Sequence, residues 1–206
     1  MMMDLEQLIK KYDMNITGVL HLGANLGQEA KVYDDNGIKN VWWVEGNPDV
    51  INKLITAIKP YNHTAIQALV YDQDNVQVMF HVTNIDGLSS SILEFGTHKQ
   101  FSPDMIFEKH IPLFTSTVDS LIKWYNITNV NFLSMDLQGA ELFALRGATE
   151  LLKSIDYIFT EINTDEVYNG CAKVWEIEEF LPDFKRVETL MVGKQGWGDS
   201  LLIKIK

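Results

Sequence analysis

TGVLHLGANLGQ, residues 17–28, decides the fold. Residues 17–23 form a short apolar run ending in glycine, the pattern of a buried strand, and residues 27–36 carry helical spacing up to Gly37. A glycine-containing turn between strand and helix lets backbone N–H groups approach a ligand, and Gly27 allows close strand–helix packing. Such a turn also occurs for purely structural reasons. The next apolar run, VWWVE at 41–45, ends in an acid about 20 residues beyond the first glycine, where a carboxylate can accept both hydroxyls of a ribose. Two correctly spaced features on successive strand ends point to a nucleoside-containing ligand.

Outward from this unit, residues 4–13 read as an amphipathic helix. Asn47-Pro48 predicts a helix through about residue 58, with Asn47 as N-cap and Pro48 in the first helical position. Strands are expected at 64–70 and 76–82, followed by a polar, Ser/Gly-containing segment at 83–98. A weakly patterned helix is expected over 101–111, a helix over 117–125, a strand over 130–136 and a strong helix over 139–153. A strand at 155–162, a helix at 173–181 and two closing strands at 184–192 and 200–205 complete the chain. Trp42 and Trp43, adjacent in one strand, must face opposite sides of it. Alternating strands and helices imply parallel βαβ units with helices on both sheet faces, and ligands outside the carboxyl ends of the strands.

The 206 residues suit one domain, 1–206, without repeat or linker. At 46% hydrophobic and 22% charged the composition excludes a disordered tail protein. Seventeen Lys and Arg against 28 Asp and Glu give a net charge of -11, which argues against nucleic acid or an anionic membrane as the main partner. No run approaches the ~18 apolar residues of a membrane helix. The single cysteine, Cys171, permits neither an internal disulfide nor a cysteine-based zinc site. No compact metal-ligand spacing occurs, so no metal is expected. The N-terminus lacks the pattern of a secretory signal, so the N-x-T triplets at Asn15, Asn62 and Asn126 read as chance and a cytoplasmic location is expected. Oligomeric state is not legible.

The ligand can be narrowed by its chemistry. No tyrosine has a lysine four residues on, as a short-chain nicotinamide reductase would need, and Gly193-Lys194 is followed by Gln195 rather than by the Ser or Thr of a P-loop. Asn25 stands where a pyrophosphate-binding turn has its middle glycine. S-adenosylmethionine, with a ribose, no phosphate and a sulfonium cation, suits an acidic protein better.

HLGANLG, VEGNP, MDLQGAELFALRGA, a strand ending FTEI and the closing GWGDSLLIKI together resemble the FkbM-type S-adenosylmethionine-dependent methyltransferases, over residues 17–205. The most specific part is 136–148, where Asp136-Leu137-Gln138-Gly139-Ala140-Glu141 matches the family's Asp-x-Glu-Gly-x-Glu except at Gln138. The resemblance implies a Rossmann-like class I methyltransferase: an α/β three-layer sandwich around a seven-stranded, mostly parallel sheet whose last strand is antiparallel. It also implies methyl transfer to a hydroxyl of a small or sugar-containing acceptor. Carried over by position, Gly23, Ala24, Asn25, Gly27 and Gln28 would form the cofactor loop and Glu45 would hold the ribose. Gly46 and Asn47 would lie beside the adenosine, Ala68 and Leu69 would flank the adenine, and Asp136 would lie under the transferring methyl. His21 stands where the family commonly has Asp at the methionyl end.

A sugar hydroxyl is a poor nucleophile at neutral pH, so a general base is expected. Asp136 is the first candidate, against a reading in which it only contacts cofactor or caps the following helix. Glu161, on the same sheet edge, is the second, against an ion pair with Arg146. His81, His98 and His110 fall in or beside the irregular segment where a substrate lid is expected, although surface positions are the commoner fate of such residues. Ser89, Ser90 and Ser91 read as a solvated loop or a lid tip, and Trp197 as turn packing or a platform for a sugar ring. A nucleotide-cofactor oxidoreductase and a non-catalytic partner-binding module on the same fold are the alternatives.

Overall fold

The protein is described by a computed structural model over residues 2–85 and 87–205. Its elements are, in chain order, α1 (Leu5–Lys11), β1 (Val19–Leu22), α2 (Ala30–Asp35), β2 (Val41–Glu45), α3 (Ile51–Ile58) and β3 (Thr64–Gln67). There follow β4 (Leu69–Val70), β5 (Gln77–Thr83), α4 (His98–Phe101), β6 (Phe107–Ser116), α5 (Val118–Tyr125) and β7 (Phe132–Met135). The last are α6 (Glu141–Arg146), β8 (Tyr157–Asn163), α7 (Val174–Phe180), β9 (Phe184–Met191) and β10 (Trp197–Lys204).

All four residues of β1 are buried because both faces of the strand are covered. Its alternate side chains divide between two cores. Leu20 and Leu22 join Val118 and Leu121 of α5, Leu142 and Leu145 of α6 and Ile177 of α7 on one face. Val19 joins Leu5 and Leu8 of α1, Tyr33 of α2 and Leu54 and Ile58 of α3 on the other. Trp42 and Trp43 divide in the same way, Trp42 packing toward the first core and Trp43 fully buried in the second. Burial of each large side chain contributes roughly 1.5–3 kcal/mol, so the two layers are the main source of stability.

The sheet has the order β3-β2-β1-β7-β8-β10-β9. β1 pairs in parallel with β2 and β7, β2 with β3, and β7 with β8. β10 is antiparallel to both β8 and β9, between which it lies. The seven-stranded sheet with its last strand antiparallel is the one the sequence implies. Strand order reverses between β1 and β7, the switch point at which ligands bind in open α/β sheets.

Four local expectations are corrected. The strand expected at 64–70 breaks at Ala68, whose N–H bonds to the Glu45 carbonyl, and its second half, β4, joins β6 and β5 in a separate three-stranded sheet. The helix expected over 101–111 is the short α4 followed by β6, whose period-2 apolar face packs Ile111 and Leu113 against Phe80 and Val82. β6 tolerates Pro112 because β4 pairs only with Thr115 and Ser116, which leaves that edge open at the proline. The helix expected over 139–153 stops at Arg146. Gly147 lies so close to Tyr71 that a Cβ would sit 2.3 Å from the Tyr71 carbonyl oxygen, and residues 151–153 form a separate 3-10 turn. Finally, α3 begins at Ile51, because Asn47 closes a preceding turn: its side chain accepts the Asp49 N–H at 3.0 Å.

Candidate active site

The turn after β1 is held from both sides. Gly23 has φ +78°, and a Cβ there would lie 1.9 Å from the Asp136 carbonyl oxygen at the end of β7, so only glycine fits. Asn25, also left-handed at φ 43°, donates its backbone N–H to Glu45 Oε2 at 2.7 Å. The Asn47 N–H donates to Glu45 Oε1 at 2.6 Å. Glu45 is thus fixed by two backbone donors at the tip of β2. Burial raises its pKa, opposed by those hydrogen bonds.

A cleft of about 690 Å³ opens over these strand ends. Gly23, Asn25, Glu45, Gly46, Ala68 and Leu69 line one side of it. Phe80, residues 87–92, Asp136 and Gln138 line the rest. The remaining candidates for the cofactor site lie behind this lining. Ala24 is buried in the layer under α1–α3, and Gly27 packs where a Cβ would meet Ile58 at 2.8 Å and Leu54 at 3.0 Å. Gln28 is exposed, its amide 3.3 Å from Asn25 Oδ1, and Asn47 reaches the site through its backbone N–H alone. His21 points into the opposite core, stacked on Trp43, with Nδ1 2.9 Å from the Tyr33 hydroxyl. Burial lowers its pKa to about 3, so it is a neutral core residue and does not line the cleft.

A second chamber of about 400 Å³ shares Ser89, Asp136 and Gln138 with the cleft and is completed by His98, Glu161, Val167, Tyr168, Trp197 and Met2. Gln138, at φ 54°, connects its walls. Its amide nitrogen donates to Asp136 Oδ1 and to Glu161 Oε2 (3.2 Å), and its amide oxygen accepts from the Tyr168 hydroxyl at 2.7 Å. Ser91 Oγ donates to the Gln138 carbonyl at 2.8 Å, which ties the 87–92 segment to the same residue.

Two acids beside Gln138, Glu161 and Glu141, have raised pKa values. Burial, and then Asp136, Glu141 and Asp199, push Glu161 well above the usual carboxylate range. Glu141, below the site, accepts the Leu137 N–H at 2.9 Å and the Gly139 N–H at 3.2 Å, and burial pushes it up to about 7. Glu141 thus holds the loop before α6. Arg146 is exposed on α6 and Glu161 is buried, so in place of the alternative ion pair with Arg146, Glu161 has the contact with Gln138.

Among the histidines, His98 alone reaches the chamber, and burial lowers its pKa. His81 and His110 meet in the second sheet, Nδ1 to Nδ1 at 2.7 Å. Tyr168 and Phe80 had no signal in their local sequence. The chamber's walls come from positions that only the folded chain brings together.

The residues present fit an adenosyl ligand. A fixed acid suits a ribose, Ala68, Leu69, Phe80 and Ile92 give apolar walls for a base, and the far end is acidic where a cationic group would lie. A ribose acid without a pyrophosphate turn, on a sheet of this order, suits S-adenosylmethionine, and the class of this protein is the S-adenosylmethionine-dependent methyltransferases. Within it, the chain belongs to the methyltransferase FkbM domain family, which matches residues 21–199. It is 26% identical over 195 residues to the 2-O-methyltransferase NoeI of Sinorhizobium fredii, an alignment covering 91% of this chain and 79% of that one. It is 27% identical over 142 residues to the hexuronic acid methyltransferase AglP of Haloferax volcanii, covering 69% of this chain and 54% of that relative. The solved structure of M. capricolum TrmK in complex with S-adenosyl-homocysteine shares the fold, with a TM-score of 0.54 and 11% identity over 100% of this chain and 70% of that one. S-adenosylmethionine is the methyl donor. Among the described residues no helix is long and apolar enough to cross a membrane.

Proposed function

We propose that this chain, acting as one catalytic domain, transfers a methyl group to a hydroxyl of a sugar-containing acceptor held in the second chamber. The observation that carries the reading is the wall formed by Ser89, Asp136 and Gln138, which borders both cavities. An acceptor in one cavity and a methyl donor in the other meet at Asp136. The names of the two relatives, a 2-O-methyltransferase and a hexuronic acid methyltransferase, support a hydroxyl on a sugar.

When bound, S-adenosylmethionine supplies an electrophilic methyl group on a sulfonium. Glu45 accepts the ribose hydroxyls, and Gly46, Ala68 and Leu69 seat the adenine. Asp136, fixed by the Gln138 amide, accepts a hydrogen bond from the acceptor hydroxyl and aligns it for in-line attack. Glu161, whose carboxyl burial and the neighbouring acids push well above the usual carboxylate range, serves as a hydrogen-bonding partner of the acceptor rather than as the base. Trp197, half-buried at the rim, offers a flat face for the sugar ring.

Titration calorimetry with S-adenosylmethionine and S-adenosylhomocysteine tests the first half of this reading. Micromolar binding of both, weakened at least ~10-fold in Glu45→Ala, is expected, since the variant loses a charged hydrogen-bond acceptor. No binding to the folded wild type would overturn it, and NADH binding would favour the oxidoreductase. Transfer of labelled methyl to a sugar acceptor, with Asp136→Asn lowering kcat by roughly 10²-fold or more, tests the second half. Cofactor binding without turnover on any sugar would favour a non-catalytic module.

A further inference from the structure

We infer that Tyr168 is a positioning residue for the transfer: its hydroxyl fixes which way round the Gln138 side-chain amide lies, and so turns the amide N–H groups toward Asp136. The inference rests on the reading above, in which Asp136 aligns the acceptor hydroxyl.

The two ends of a side-chain amide have nearly the same size and shape, and only their hydrogen bonds tell them apart. At Gln138 the nitrogen faces two carboxyl groups, Asp136 Oδ1 and Glu161 Oε2. A carboxyl group accepts when ionised and can donate when protonated, and burial and its acidic neighbours raise the Glu161 pKa well above the usual carboxylate range. The acids alone therefore do not dictate the direction of the amide. The Tyr168 hydroxyl does. It lies 2.7 Å from Gln138 Oε1 and 3.2 Å from the Ser89 carbonyl oxygen, and its one hydrogen serves the nearer acceptor. Burial, and then Glu161, raise the pKa of this phenol, so it keeps that hydrogen. Reversing the amide would set its oxygen against two carboxyl oxygens and forfeit the bond from Tyr168.

The hydroxyl is held rigidly enough for this task. Tyr168 is 1% exposed and packs with Val167, Cys171, Leu93 and Phe95. On either side of it, the Gly96 N–H donates to the Val167 carbonyl at 2.9 Å and the Asn169 N–H to the Glu94 carbonyl at 2.8 Å. Gly139, next to Gln138, has φ +95°, and a Cβ there would lie 3.2 Å from the Tyr168 Cβ, so glycine lets the loop after β7 close on the ring. A side chain locked in this way passes its orientation to the group it contacts.

The test removes one oxygen and keeps the ring. In full-chain Tyr168→Phe, the Kd for S-adenosylhomocysteine should stay within ~2-fold of wild type, because Tyr168 lines the second chamber and not the cleft. Labelled methyl transfer to the methyl glycosides of glucose, galactose and glucuronic acid should show kcat lowered ~10-fold or more, with KM changed by less than ~3-fold. Protein labelled with nitrogen-15 glutamine gives a reading that needs no acceptor, the Gln138 side-chain resonance being assigned by its absence in Gln138→Glu. In wild type its amide hydrogens should exchange at least ~10-fold more slowly than those of exposed Gln67. Tyr168→Phe should shift the resonance and remove most of that protection. An unchanged kcat, or a raised KM at constant kcat, overturns the inference. So do Gln138 amide hydrogens that exchange like those of Gln67 in wild type, or that keep their shift and protection in Tyr168→Phe. A wild type that binds S-adenosylhomocysteine but methylates none of the three sugars would overturn the acceptor reading and with it the positioning role, whatever the amide resonance shows.

Discussion

Gln138 occupies the middle of an acidic set that would otherwise repel itself. Its amide donates toward Asp136 and Glu161 and accepts from Tyr168, all within the chamber wall. Gln138→Glu, which restores the acid of the family pattern, removes both donors and adds a carboxyl group to a buried acidic site. The expected cost is about 1–3 kcal/mol at pH 7.5, smaller at pH 5 where the new group is protonated. Urea denaturation at the two pH values reads it, and an equal cost at both would contradict the account. The native acids also set a pH dependence. Glu141 is raised by burial from the ordinary glutamate value to about 7 in the folded protein. The folded state therefore holds a proton that the unfolded chain releases, and the stability this contributes is lost as pH rises toward 7. The melting temperature should fall over that interval, and Glu141→Gln, which keeps an acceptor for the Leu137 N–H, should flatten the fall. A slope unchanged by the substitution would remove Glu141 from the explanation.

At the scale of elements, what was legible followed from geometry that repeats along the chain. β1, β2, β7 and β8 are short apolar runs buried on both faces, and the functional groups at their carboxyl ends were readable because the fold puts ligands there. Less legible were the places where a tertiary contact overrides the local pattern. The helical periodicity of 139–153 continues past Gly147, but that glycine packs against Tyr71, and Asp119 of α5 captures the Glu150 and Leu151 N–H groups at 2.9 and 3.0 Å. Asp119→Ala should lower stability by about 1 kcal/mol, as the loss of a cap does, with affinity for S-adenosylhomocysteine unchanged. Loss of that affinity would show that the 3-10 turn supports the site. The turn after β1 behaves in the opposite way. Gly23→Ala drives a Cβ into the Asp136 carbonyl and forces a left-handed alanine, so a loss of more than ~2 kcal/mol together with the cofactor site is expected. A variant that binds and melts like wild type would show the turn to be far more plastic than its contacts indicate.

Across the whole molecule, the two cavities differ in how the chain encodes them. One side of the cleft, with Gly23, Glu45 and Ala68, draws on the ends of β1, β2 and β3, so those residues sit at regular sequence intervals. The second chamber takes Ser89 and His98 from the segment between β5 and β6, Gln138 from the turn after β7, Glu161 and Trp197 from β8 and β10, and Tyr168 from the loop after β8. No local spacing connects these positions, which is why Tyr168 escaped notice and Gln138 registered only as a departure from a pattern. The same separation gives the assignment a test that needs no acceptor. A ligand that binds only the folded state stabilises it by about 2.7 kcal/mol at 100 times its Kd. S-adenosylhomocysteine should do so, and its hydrogen-exchange protection should concentrate at 23–25, 45–47 and 87–92, the segments that line the cleft. A further cavity lies among Thr17, Lys123, Asn131 and Glu150, away from the carboxyl ends of the strands. Protection centred there instead, with 23–25 and 87–92 exchanging as before, would place the ligand away from the switch point and remove the basis for a methyl donor at Asp136.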